Sequence, residues 1–442
     1  MNSYRKIRSK NTAYYGTALL IILFIVCGLL SAVTSEQFED QMESGTYEEV
    51  PDALENVGEN PDIRVLIMTD GYRQEVHPSV EVCSQSGLEV EAGEEHRDIS
   101  PGESMQLSPD DDLFEKGHIR IQAKDGGEIT LLSVNRACGN PSYAGILELR
   151  TTAEGIAVIN ELPIENYLCR VVPSEMPASY EMEALKAQAV CARSYAYRQI
   201  SDYAYPEYKA HVNDSTDYQV YGNSLSQDST DQAVEETKGQ VICYRGKIVT
   251  AYYYSTSCGK TTDLEAWGTK KSEQNQYLQS VEVKDKDGDY EKDLPWYRWK
   301  AEIPADMLSN LIELNTGKDI GKLQKVEVTK TGAGGVALQI CATGDKGSVK
   351  VDTENKIRRA LGGDGYEIMK GDGTVVASQT LLPSAFITIQ KNGDTYVIQG
   401  GGYGHGIGMS QNGANEMAKK GKNYIEILTL FFQGVSVDTW KF

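Results

Sequence analysis

Paired cysteines are missing from this chain. Its eight cysteines, at positions 27, 83, 138, 169, 191, 243, 258 and 341, form no CxxC and no tight cluster, so the zinc patterns that spacing alone can identify are excluded. Basic charge is scarce too. The 43 Lys and Arg stand against 64 Asp and Glu, for a formal net charge of −21. A nucleic-acid partner needs a basic footprint that this composition does not supply, and phosphate-rich anionic polymers are repelled at long range. Repeats of solenoid length are absent, which sets aside stacked-repeat architectures. Phe and Trp are few, at 7 and 4, whereas Tyr reaches 26. That balance suits amphipathic contacts with sugars, and it also suits β-rich cores.

What is present begins with the apolar run from Ala18 to Leu30, extendable to Val33, preceded by Arg5, Lys6, Arg8 and Lys10. It is close to the ~20 residues that span a bilayer. With the basic flank inside, residues 1–35 form a cytoplasmic tail and a single transmembrane helix, and everything after it is exported. A cleaved signal peptide is the competing interpretation. Residues 36–61 are acidic and poor in apolar side chains, a solvated tether. The remainder of the 442 residues is long enough for two or three compact units. Outside the membrane a disulfide is permitted, with Cys83 and Cys138 a conceivable pair, while Cys169 and Cys191 read as buried free thiols.

The fold class expected is α+β: a β-rich extracytoplasmic core with a few helices. Short β-like runs (IRVLIM, IRIQA, ITLLSV, GILELR) fill Ile63 to about Val158. Small or apolar residues at Leu185, Ala189, Ala192 and Ala196 predict a closely packed helix from about Met182 to about Tyr203. A short helix follows near Asp231–Glu236, then strands at Gln240–Cys243 and Lys247–Tyr254 turning at Arg245 and Gly246. Pro304–Leu314 and Asn355–Leu361 read as helices among further strands, and two more helices are expected at Ser410–Lys420 and Tyr424–Phe432.

One carboxylate stands out. Glu175 lies two residues before Pro177, which pushes Met176 toward extended geometry and predicts a non-helical approach to the Ala-rich helix. A carboxylate on a rigid support is how a site is preorganised. Spacing by itself favours an acid that complements a helix N-terminus.

The surrounding words are specific. Asn160–Pro163 (NELP), Glu165–Leu168 (ENYL), Val171–Pro177 (VVPSEMP), Ala184–Val190 (ALKAQAV), Ala192–Tyr197 (ARSYAY) and Gly404–Gly413 with Ala414 (GHGIGMSQNG, then Ala) resemble the SpoIID/LytB family, the stage II sporulation protein D and amidase-enhancer group of bacterial wall proteins. Asp214, Gln219–Tyr221 (QVY), Tyr254–Thr256 (YST) and Ile63–Leu66 (IRVL) stand where that family has its other motifs, so the likeness spans about residues 62–440.

The resemblance implies a peptidoglycan lytic transglycosylase with Glu175 as the catalytic residue, acting first as acid and then as base. An acid for glycoside cleavage needs a pKa raised toward neutrality by apolar surroundings, which Val171, Val172, Met176 and Pro177 can supply. Hydrolases add a second carboxylate at fixed separation. No motif singles one out, and Asp214, the nearest candidate, is also a natural loop-capping residue.

Gln188, Arg193, Tyr195, Gln219, Tyr221, Tyr254, Ser255, His405 and Gln411 are the candidate substrate-binding residues. Arg193 has the alternative of pairing with a carboxylate that fixes its helix, and His405 that of satisfying a buried turn. The Gly-rich segment around His405 lacks the Lys of a phosphate loop. No cofactor is expected. Some relatives hold a metal by Cys and His near the YST motif; here Cys258 has no adjacent His, and His211 would have to come from another loop. Asn412 departs from the Tyr that many relatives carry.

The domains expected are 62–158, a β-rich part; 159–283, a catalytic core; 284–384, an inserted α/β part; and 385–442, which completes the core. The partners implied are peptidoglycan glycan strands, the membrane through the anchor, and a peptidoglycan amidase. The alternative function is a noncatalytic wall-binding enhancer of such an amidase.

Overall fold

The computed structural model describes residues 60–440. The expected anchor, and all of the expected tether except its last two residues, lie outside the described residues. Among the described residues no helix is long and apolar enough to cross a membrane. The fold is a β-rich mixture of strands with seven helices among those residues.

An eight-stranded sheet opens the fold, with Asp62–Leu66 antiparallel to Ile156–Pro163, followed outward by Ile146–Thr151, Ile119–Ala123, Leu88–Ala92 and Glu95–Ile99. The alternation Leu88, Val90, Ala92 and Ile119, Ile121, Ala123 turns one face into the core. The other face carries a ladder in which Glu148 and Glu161 are shared by Arg64 and Arg120. A four-stranded antiparallel sheet, Ser104–Leu107, Val80–Cys83, Ile129–Leu131 and Ser142–Tyr143, packs into the same core.

From Pro163 the chain turns into helix α1, Ile164–Glu175. Ile164, Tyr167, Leu168, Val171 and Val172 are buried at spacings of three and four, so one stripe faces the core. Glu175 is therefore the last helical residue and not part of a loop, which corrects the expectation of a non-helical approach. Met176, directly before Pro177, takes the extended geometry expected of it (φ −134°, ψ 134°).

Helix α2, Met182–Gln199, is buried almost all round, from Ala184 to Tyr197, and ends four residues earlier than predicted. Its small side chains admit neighbours closely: α1, helix α3 (Asp228–Glu236) and the strand Gln240–Tyr244 all pack on it. That strand turns through Arg245 and Gly246, both at positive φ, into Lys247–Ile248. The single long strand expected to Tyr254 is broken. Tyr253–Tyr254 instead pairs in parallel with Met409–Ser410.

A second core is built by Trp299, Ile303, Leu308, Ile312, Ile340, Ile357, Leu361 and Ile398. Its five-stranded sheet runs Val375–Ala377, Glu367–Lys370, Trp299–Pro304, Thr395–Gly400, Ile387–Asn392, beside a three-stranded sheet, Leu323–Thr331, Ala337–Gly344 and Ser348–Asp352. Helices α4 (Ala305–Thr316) and α5 (Glu354–Leu361) cover them. The chain then returns to the first core through helices α6 (Gln411–Lys419) and α7 (Tyr424–Phe431), the latter begun by a reciprocal Asn423–Glu426 capping box.

All seven cysteines among the described residues are free thiols. The conceivable Cys83–Cys138 bridge is thus not formed, and the Cys138 thiol faces the Gly222 carbonyl.

Candidate active site

Glu175 sits where three distant segments meet the end of α1. Its Oε1 accepts the Val220 N–H at 2.8 Å, and its carboxylate also takes a hydrogen bond from the Tyr253 hydroxyl. Its backbone carbonyl accepts from Gln411 Nε2 at 3.1 Å. The residue is half-buried, yet burial dominates the chemistry of the carboxyl and pushes it from the ordinary 4.5 up to about 7. The two hydrogen bonds pull the other way without cancelling that rise, and no charged group is among the causes.

Gln219 Nε2 donates to the Tyr253 oxygen at 3.1 Å and to the Ala192 carbonyl. With its oxygen accepting from an amide, the phenol proton is directed to Glu175. His405 supports this tyrosine from behind: its Nδ1 accepts the Ile407 N–H at 3.1 Å, which places the ring proton on Nε2 for donation to the Tyr253 carbonyl at 3.0 Å. Burial holds His405 down at about 3, so it is a neutral strut. Gly408, at φ 76°, lets this loop pass the sheet, since a Cβ there would lie 2.1 Å from the Tyr252 carbonyl oxygen.

Most of the predicted residues converge. Gln188, fully buried, accepts from Gln411 at 3.5 Å. The Tyr195 ring lies against Tyr252, and the Tyr254 ring lies 5.4 Å from His405. The Ser255 carbonyl accepts both the backbone and the side-chain amide of Asn412. Asn412, at the position that departs from the family pattern, also accepts from Tyr180 and donates to Thr256 Oγ1.

Two predicted residues are not brought in. Arg193 is wholly buried, clamped by Glu165 at 2.8 Å through two nitrogens, and bonded to the Val234 and Gln240 carbonyls, so its role is to lock α2 to α1. The Tyr221 hydroxyl points inward to Asn160 Oδ1 at 2.6 Å. Asp214 forms a buried ion pair with Arg136 at 2.6 Å and accepts the Met68 N–H, which makes it a structural acid. A shallow depression along α4, lined by Asn310, Glu313, Leu314 and Gly317, shares no residue with this site.

The surroundings of Cys258 do not fit a metal. Arg298 donates to its carbonyl, and His211 is engaged elsewhere by the Arg64 N–H and a stacked Tyr203 ring. Among the described residues no three His, Cys, Asp or Glu converge in a way that would hold one.

Sequence reasoning missed Tyr253, the Val220 amide and Glu291. Val220 lies inside the QVY motif and Tyr253 directly precedes YST, a signal that was available. Glu291 is shut off from solvent, accepts from Ser257 and Ser410, and is pushed up to about 7 by burial.

The class defined here is a mixed α/β protein in which a partly buried carboxyl, Glu175, is held by amide and phenol groups from three segments. Family models match residues 152–244 (Stage II sporulation protein, SpoIID) and 253–408 (Domain of unknown function, DUF8618). Stage II sporulation protein D of Bacillus subtilis is 31% identical over 295 residues, covering 63% of this chain and 76% of that protein. An uncharacterized protein of Brachyspira hyodysenteriae is 33% identical over 299 residues, 67% of this chain and 72% of that protein. The amidase enhancer of Bacillus subtilis is 30% identical over 301 residues, 61% of this chain but only 40% of that protein. The chain belongs to the SpoIID/LytB family.

Proposed function

We propose that this protein is a peptidoglycan lytic transglycosylase, membrane-anchored with its folded part outside the cytoplasm, working in sporulation or wall remodelling without a cofactor. The observation that carries this is the Glu175 carboxyl, raised to about 7 by burial and free of any charged partner. An acid with its pKa near neutrality serves in either protonation state. Glu175 gives its proton to the oxygen linking N-acetylmuramic acid to N-acetylglucosamine as the glycosidic bond breaks. The resulting carboxylate takes the proton of the muramic C6 hydroxyl, whose oxygen closes on C1. The product is a 1,6-anhydro end, no water is consumed, and the acid is restored. Gln411, bonded to the Glu175 carbonyl, and the hydrogen-bonded pair Asn412 and Tyr180 offer polar groups for sugar hydroxyls.

The test is product analysis by mass spectrometry on isolated glycan strands. The chain should release anhydromuramic ends and Glu175→Gln should release none; ends heavier by one water would refute the mechanism.

The similarity to a protein named amidase enhancer supports a second reading, a wall-binding module that stimulates a separate amidase. In that case Glu175→Gln leaves both glycan binding and amidase stimulation intact.

A further inference from the structure

Glu291 follows the hairpin Lys284–Asp285/Gly288–Asp289 and is entirely buried. Its Oε1 accepts the Ser257 N–H at 2.8 Å and the Ser410 hydroxyl at 2.7 Å, and Oε2 accepts the Ser257 hydroxyl. No Lys or Arg pairs with it among the described residues. The ionisable groups that face it are Glu416 on α6, and Tyr254 and Cys258 on the opposite segment. An unpaired buried carboxyl is costly, and it persists where its hydrogen bonds fix something else.

What it fixes is the parallel pair Tyr253–Tyr254/Met409–Ser410. Ser257 lies three residues beyond one strand and Ser410 ends the other, so a single side chain bridges segments 153 residues apart. Ser410 Oγ also accepts the Gly413 N–H and so caps α6. Each strand delivers one contact to Glu175: the Tyr253 hydroxyl to the carboxylate, and Gln411 to the carbonyl.

We propose that Glu291 is a positioning residue for Glu175, holding the Tyr253 and Gln411 segments in register from behind while never touching substrate. This rests on Glu175 being the acid of the proposed reaction. Closed off from solvent, Glu291 is not a second glycosidase carboxylate.

The experiment titrates Glu175 by carboxyl ¹³C NMR in the native chain, Glu291→Ala, Glu291→Gln and Ser410→Ala. It adds kcat and KM on glycan strands, and binding of the N-acetylglucosamine tetramer. In Glu291→Ala the loosened pair withdraws the Tyr253 donor from Glu175, so the Glu175 midpoint rises and kcat drops ~10-fold or more with KM little changed. Glu291→Gln keeps an acceptor for the Ser257 N–H and Ser410 and a donor for the Ser257 oxygen, and so restores both values. If Glu291→Ala does not fold, Ser410→Ala, which removes one tie and leaves the carboxyl, should move the midpoint in the same direction.

An unmoved Glu175 midpoint in the folded variants, or Glu291→Gln as defective as Glu291→Ala, overturns the proposal. The titration and the tetramer binding need no turnover. They therefore decide the role of Glu291 even if the chain forms no anhydro product, which would sink the transglycosylase reading alone.

Discussion

Replacing Tyr253 with Phe removes one oxygen and leaves the desolvating ring, which makes it a test of how Glu175 is tuned. The phenol donates to the carboxylate and accepts from Gln219 Nε2. A hydrogen bond to a charged group contributes about 1.5–3 kcal/mol, and the protonated acid retains part of it. A differential of about 1.4 kcal/mol corresponds to one pH unit. Because the bond favours the ionised form, its loss should raise the Glu175 midpoint from about 7 toward about 8. The alkaline limb of kcat/KM, where the acid has lost its proton, should move up with it. A profile in wall-strand cleavage at constant ionic strength measures this, and NMR titration of Glu175 checks the assignment. Losing the Gln219 acceptor should also cost about 1–3 kcal/mol in unfolding free energy. A limb that stays in place or moves to lower pH refutes the assignment of Tyr253 as a donor to Glu175.

Two further outcomes concern stability. Glu175 and Glu291 are both raised from 4.5 to about 7 by burial, so the stability each contributes is full below about 4.5 and is lost as pH rises through 7, roughly 3 kcal/mol apiece. His77, His211 and His405, held down by burial, pull the opposite way in the acid range, so the measurement is a difference. In urea unfolding, Glu291→Gln should gain about 3 kcal/mol relative to the native chain between about pH 4 and about pH 8; a gap independent of pH contradicts it. Arg193→Ala leaves Glu165 and two buried carbonyls without their donor and should cost about 3–5 kcal/mol, and Arg193→Lys should not restore it because the two-nitrogen contact needs the guanidinium. A fall in Tm that Lys rescues would argue against the clamp.

Local patterns in the sequence carried the elements whose causes are local. The Arg245–Gly246 turn, the Ala-rich packing of α2 and the Tyr424 start of α7 all follow from residues within a few positions. The helical end of Glu175 did not, even though Ile164, Tyr167, Leu168, Val171 and Val172 have helical spacing, because Pro177 argues for a non-helical approach to α2 from Glu175 onward, whereas it constrains only Met176. The helix runs through Pro173 in its last turn, and the Met176 N–H still reaches the Val172 carbonyl. Tyr253 was hidden for a different reason. Its strand pairs with Met409–Ser410, and no periodicity within either segment reveals a partner that distant. Glu291 sits in a charged stretch that reads as solvent-exposed, and only the closure of two remote segments over it makes it a buried acid.

The tuning of Glu175 depends as much on the cations withheld from it as on the groups that touch it. A single Arg or Lys within a few ångströms would lower the carboxyl by one to three pH units and leave no proton to donate. The cores nevertheless contain buried basic side chains, and each is matched by an acid: Arg193 by Glu165, Arg136 by Asp214, Arg358 by Glu354, and Arg170 by Glu128. Each pairing costs desolvation and gives little net stability. What it secures is that the positive charge inside the molecule is spent before it reaches Glu175, whose partners are a backbone amide, a phenol and a glutamine. The proposed role of Glu175 as both acid and base requires that neutrality, because the same group would release a proton and take one back at nearly equal cost.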